Sequence, residues 1–266
     1  MESKNKESRL FSGNLMLLAK KMLIENRKLI LLLTLGIVGM DLLFGGFMGF
    51  WGKGGGMGES GFFWGLSAIY MFVAASVMFA GMKRKEGRIS VLMLPATTFE
   101  KWLVRWVAAL PLMFVVCVAG MYIGDLTRIL VHFLVNGPFV GGEYSRVFNP
   151  WTLDMLEGTF SMWLFLLVAI SNLVLTHSVF FFGGILWPKL SFIKTLGVIW
   201  GLQFILGNVL VIIARNLPMS LWLKIDELNG DVVAACWAGV SLVIAGVLYW
   251  LSYRRLRSSQ VVYKLI

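Results

Sequence analysis

The chain has 266 residues, 58% hydrophobic and only 14% charged, with a mean hydropathy of +0.80 and a formal net charge of +10. A soluble domain carries about a quarter charged residues, so composition excludes an ordinary soluble fold and predicts an all-α integral membrane protein. Excess cations can mean a nucleic-acid partner, but here they sit in blocks between apolar runs, which argues for membrane topology and against nucleic acid.

Residues 1–28 form a polar leader containing Glu2, Glu7 and Glu25. It is expected not to be a cleaved signal peptide, because the run after it is too long for a signal core. Within it, 10–27 reads as a helix with Phe11, Leu15, Leu18 and Met22 on one stripe and Lys20 opposite, although Met16 and Leu17 blur the pattern. Two placements fit: a helix in the membrane interface entering the first span through a bend, or an extension of that span.

Six apolar runs follow, at 29–50, 62–82, 102–123, 160–182, 195–214 and 232–252. Runs of about 20 residues cross roughly 30 Å of hydrocarbon as helices. The period-two alternation of a barrel strand is not seen. The spans define a membrane domain over 29–252, with a basic tail over 253–266. Cys117 and Cys236 both fall in spans, so no disulfide framework is expected.

The connection after span 1, 51–61, is rich in glycine. It superficially resembles a phosphate loop, but Phe47 stands where the first Gly is needed and Gly54 follows Lys53 where Ser or Thr is needed. It reads as a flexible turn. The second connection runs KRKEGRISVLMLPATTFEKWLVRW from Lys83 into the third span. Pro95 separates a short basic piece from the segment after it. Thr97 and Glu100 fit a capping box, which starts a helix with Glu100 near its positive end. Lys101, Trp102, Arg105 and Trp106 then read as interface anchors.

The third connection, 124–159, is the longest, with turn signals at Gly137-Pro138, Gly141-Gly142 and Asn149-Pro150. Its apolar part, 129–139, either prolongs span 3 or lies on the outer surface. The fifth connection holds a short amphipathic piece, 221–228, which rests on the membrane or dips into it. No internal repeat is evident.

Nineteen of the 24 Lys and Arg residues lie in the leader, the second connection with the start of span 3, the fourth connection and the tail; five lie in the alternate connections. The positive-inside rule then places both termini in the cytoplasm, as six spans require. The outer connections are mildly acidic. Some attraction of the basic face to anionic lipid is expected.

Polar groups inside spans are costly and mark either function or helix contacts. Asp41 lies about 18 Å along span 1, Asn172 and His177 are in span 4, and Gln203 and Asn208 are in span 5. Each either lines a translocation path or makes a structural hydrogen bond. Gly45-x-x-x-Gly49 and Gly197-x-x-x-Gly201 permit close helix approach, within one chain or across a dimer. His132 and His177 are the only histidines and are expected on opposite sides. No metal motif, nucleophile elbow or paired-glutamate motif is present, so no enzyme, metal site or cofactor is expected in this chain.

The order apolar span, basic loop, Leu94-Pro95-Ala96-Thr97 then Glu100-Lys101-Trp102, apolar span is similar to permease subunits of bacterial ABC transporters of the ABC-2 type. Six spans, a leading interfacial helix, an element dipping into the membrane before span 6 and the Tyr253-Arg254-Arg255 finish also resemble that family. Thr97 stands where the family more often has Ser. The resemblance implies an exporter half in a bacterial inner membrane, partnered by a separate cytosolic ATP-binding cassette subunit that holds ATP and Mg. It implies a homodimer or pairing with a second permease. It also makes Lys83, Arg84, Lys85, Arg88, Pro95, Thr97, Glu100 and Lys101 the contact with that ATPase. An amphipathic or lipid-like substrate is expected by analogy alone. Competing readings are a scaffold membrane protein without transport and an ion-coupled secondary transporter.

Overall fold

The computed structural model describes residues 16–51, 57–83, 89, 96–138, 162–187, 189–216 and 230–261, and every regular element among them is helical. The elements are α1 (Arg27–Trp51), α2 (Met57–Val77), a 3-10 turn (Ala80–Lys83), α3 (Thr98–Val107), a π-turn (Ala108–Leu112), α4 (Met113–Asn136), α5 (Met162–Leu186), α6 (Ser191–Asn216) and α7 (Gly230–Val261). Six helical stretches are long and apolar enough to cross a bilayer, one for each expected span.

The α1–α4 pair and the α5–α7 pair are the most extensive helix contacts, and α2 packs on both α4 and α5. On α1 the buried residues recur every fourth position: Leu33, Ile37, Asp41, Gly45 and Gly49. On α4 they include Cys117, Gly120, Met121, Gly124, Asp125 and Arg128. Lipid tails are as apolar as leucine, so such pairing depends on close approach rather than on apolar burial. A Cβ added at Gly45 would collide with the Gly124 carbonyl, and one at Gly49 would sit 2.5 Å from the Arg128 carbonyl oxygen. The Gly45 and Gly49 pair therefore serves packing within the chain. Gly197 and Gly201 meet nothing within 4 Å.

Span 3 differs most from expectation. Instead of 102–123 it forms one helical run, Thr98–Asn136, of 39 residues. At the usual rise that is roughly 58 Å, nearly twice the hydrocarbon thickness. Pro111 lies inside the run. Proline lacks an N–H and collides with the carbonyl four residues back, so the helix opens into the π-turn there. α4 ends where Gly137 takes φ +82°, a left-handed value suited to glycine, and Pro138 follows.

Asp125 and Arg128, expected in the outer connection, are instead buried within α4 and joined by an Nε–Oδ1 contact of 2.9 Å. Mutual neutralisation one turn apart lets the helix continue past them, and it carries residues 129–136 with it. The tail likewise starts as helix, because α7 runs on to Val261 and carries Arg254, Arg255 and Arg257.

Residues 16–25 are helical, and only Asn26 separates them from α1. The Asn26 N–H donates to the Met22 carbonyl, and its own carbonyl accepts from Ile30. The lead thus joins α1 without a break in hydrogen bonding. Leu18 and Met22 are buried, as the expected stripe requires, in a cluster that includes Phe79, Val104, Ala108 and Phe181. Met16, Leu17 and Lys20 are exposed. Phe11 and Leu15 lie outside the described residues. This cluster sits at the end of the bundle where α1, α3 and α6 begin and where α2, α5 and α7 finish; we call it the basic end.

Candidate functional site

The basic end carries the capping box expected from the sequence. The Thr97 hydroxyl accepts from the Glu100 N–H at 3.2 Å, and Glu100 Oε2 accepts from the Thr97 N–H at 2.7 Å and from its hydroxyl at 3.0 Å. Thr97 holds an extended backbone, so the helical conformation begins only after it. α3 therefore starts at a fixed residue.

Thr97 is exposed, whereas Glu100 and Lys101 are each only 3% exposed. The polar side of α3 faces inward because neighbours receive it there. Arg105 donates from Nη1 to the Lys101 carbonyl at 2.8 Å, stacks over the Phe79 ring at 5.5 Å and interacts electrostatically with Glu25 of the lead helix. In this conformation Thr97 and Phe99 are exposed, while Glu100 and Lys101 are enclosed by the cap and its packing. Lys83 closes the 3-10 turn. The Lys83 side chain, along with Arg84, Lys85, Arg88 and Pro95, lies outside the described residues.

The opposite side of α3 is tied to the distant end of the chain. The Trp102 indole N–H donates to the Ser252 hydroxyl at 2.7 Å, and that hydroxyl donates to the Tyr249 carbonyl at 2.6 Å. The Trp102 ring stacks with Trp106 and meets Phe181, Tyr249 and Tyr253 edge-on at 6.1–6.4 Å between centroids. His177 of α5 and the Tyr249 hydroxyl of α7 share a hydrogen bond of 2.8 Å. The His177 ring also meets the backbone of Ala109 in the π-turn, although its Nε2 makes no strict hydrogen bond. One packed group thus joins the capped start of α3, the Pro111 π-turn, α5 and α7.

The five residues considered for a translocation path fall in three places. Asp41 is fully buried in the α1–α4 seam. Asn172 and His177 face α7: the Trp237 indole donates to Asn172 Oδ1 at 3.1 Å, and His177 bonds Tyr249. Gln203 and Asn208 are exposed on α6, where the Asn208 amide donates to the Phe204 carbonyl at 2.7 Å. They line no common path in this conformation. His177 is buried between helices, with its ring stacked on Phe181 and its Nδ1 bonded to the Tyr249 hydroxyl.

Among the described residues, α6 is anchored only near its start. The Ser191 hydroxyl donates to the Ser76 carbonyl at 2.8 Å, and Thr195 packs directly on Gly183. Beyond Leu202 every α6 side chain described is exposed.

Sequence reasoning missed the Trp102–Ser252–Tyr249–His177 group, the π-turn and the buried Asp125–Arg128 pair. Pro111 and the i, i+3 spacing of Asp125 and Arg128 were the available signals. The group around Trp102 joins residues 150 positions apart, which no local pattern shows.

The fold defines a class: among the described residues every regular element is helical, and six helices are long and apolar enough for a multi-pass membrane protein. No family model, curated protein or solved structure matches the chain.

Proposed function

We propose that this chain is the membrane-spanning permease subunit of an ATP-driven exporter, in a bacterial inner membrane with both termini in the cytoplasm. A separate cytosolic ATP-binding cassette subunit docks on the connection between the second and third spans. Each permease works as a dimer or with a second permease. ATP and Mg belong to that partner.

The observation that carries this reading is the wiring of α3. A load on the second connection meets a helix start fixed by the Thr97–Glu100 box, and α3 is bonded through Trp102 to α7 and packed through Phe181 on α5. A rigid lever with a defined grip is what a mechanically driven transporter needs. The Pro111 π-turn supplies a flexing point between that lever and α4. ATP-driven closure of the partner would rock α3 and shift the population between two packings of α5 and α7 against α1 and α4.

The test is a pull-down of the tagged chain in mild detergent, repeated with Arg84, Lys85 and Arg88 all replaced by Glu. The expected result is a near-stoichiometric ATPase that the triple variant loses while its spans stay folded. If no ATPase accompanies the chain, or the triple variant still binds and stimulates it, the assignment is wrong and a scaffold without transport is favoured.

A further inference from the structure

Asp41 is fully buried, and neither of its carboxyl oxygens has a hydrogen-bond partner among the described residues. The side chain lies against Gly120, where an added Cβ would stand 2.6 Å from Oδ2. The α1 backbone is as close: a Cβ at Gly124 would stand 2.7 Å from the Asp41 carbonyl oxygen. The seam thus closes directly over the carboxyl.

Among the described residues, the neighbours supply no compensating charge. From α4, the Cys117 thiol interacts electrostatically with Asp41 and donates to the Ser67 carbonyl of α2 at 3.6 Å. Farther along α4, Arg128 is bound to Asp125. From α2 come the Ser67 hydroxyl, itself buried with no hydrogen-bond partner, and Tyr70, whose hydroxyl packs near Gly36 of α1. A carboxylate held in an apolar bundle with neither cation nor donor is strongly disfavoured. A metal cation does not resolve it. Hard cations take about six oxygen ligands, and no group of three or more His, Cys, Asp and Glu among the described residues is able to hold a metal.

We propose that Asp41 is a proton-binding site of the α1–α4 seam, occupied while the seam is closed and emptied when it opens. Binding converts the carboxylate and a proton from water into the neutral acid, which tolerates the closed seam. Release returns the proton to water admitted between α1 and α4 and leaves a carboxylate that resists reclosure. The ligand is thus a proton and the responding element is the glycine-lined seam. This holds whether or not the chain partners an ATPase.

The test uses the full chain in lipid nanodiscs with Cys236 replaced by Ser, so that Cys117 alone reports on the seam. Infrared spectra of carboxyl-labelled aspartate should show, at neutral pH, one un-ionised acid C=O band that Asp41→Asn removes. As pH rises, the band should vanish and Cys117 should lose its protection from N-ethylmaleimide. Asp41→Asn, compared at each pH to correct for thiolate formation, should stay protected. Absence of the band at neutral pH would overturn the site. A band that vanishes while Cys117 reacts equally in both chains would overturn the link to opening. If Asp41→Asn fails to fold, the wild-type spectrum still decides occupancy, and coincidence of its two transitions decides the link.

Discussion

Gly45 and Gly124 decide how near α1 comes to α4, because the carbonyl of one occupies the space a Cβ on the other would need. The obstacle is backbone, which cannot rotate away as a side chain can. Gly45→Ala should therefore destabilise the chain by about 1–3 kcal/mol, the usual cost of overpacking a close contact. Gly39 lies on the same helix with nothing within 4 Å. There Gly→Ala should leave stability unchanged or raise it by up to about 1 kcal/mol, since alanine favours the helix. Unfolding of both variants in detergent, followed by circular dichroism, checks the contrast. Equal effects would mean that the seam is looser than its geometry implies. The same closeness keeps water from Asp41, so the glycines and the carboxyl form one device.

At the scale of elements, α3 shows what the chain's local pattern could and could not reveal. Thr97 and Glu100 stand three apart after a proline, and the reciprocal bonds form as that spacing requires. Thr97→Ala should cost about 1 kcal/mol and speed amide exchange in the first turn of α3, while Thr97→Ser should behave as the parent. Exchange rates at residues 98–101 read this directly, and unchanged rates in Thr97→Ala would deny the cap its role. The burial of Glu100 and Lys101 was not legible, because what buries them is tertiary: the turn after α2 and the lead helix supply Phe79 and Glu25 to the charged side of α3. The length of span 3 was hidden for a related reason. Asp125 and Arg128 end the apolar run in sequence, yet as an ion pair they do not end the helix. Pro111 sits within an unbroken apolar stretch, so hydropathy passes over the turn that it forces.

At the scale of the whole molecule, cations and contacts are segregated in the same way. The lead helix, the start of α3, the start of α6 and the last turns of α7 gather Lys20, Lys21, Arg105, Lys194 and Arg254 at one end of the bundle. The broadest buried cluster lies there too. The other end holds the smaller Phe63–Met121 cluster and the free length of α6. Among the described residues, packing is therefore tighter at the basic end than opposite it. That asymmetry means little until the basic end is assigned to a side of the membrane. Lys and Arg near span ends resist translocation, so the basic end should face the cytoplasm. In a chain with Cys117→Ala and Cys236→Ser, Gly142→Cys should react with an impermeant maleimide in intact spheroplasts. Ser258→Cys, on the last turns of α7, should react only after permeabilisation. The reverse pattern would turn the bundle over. Thr97 would then face away from any cytosolic ATPase, and the coupling mechanism would fail with the orientation on which it depends.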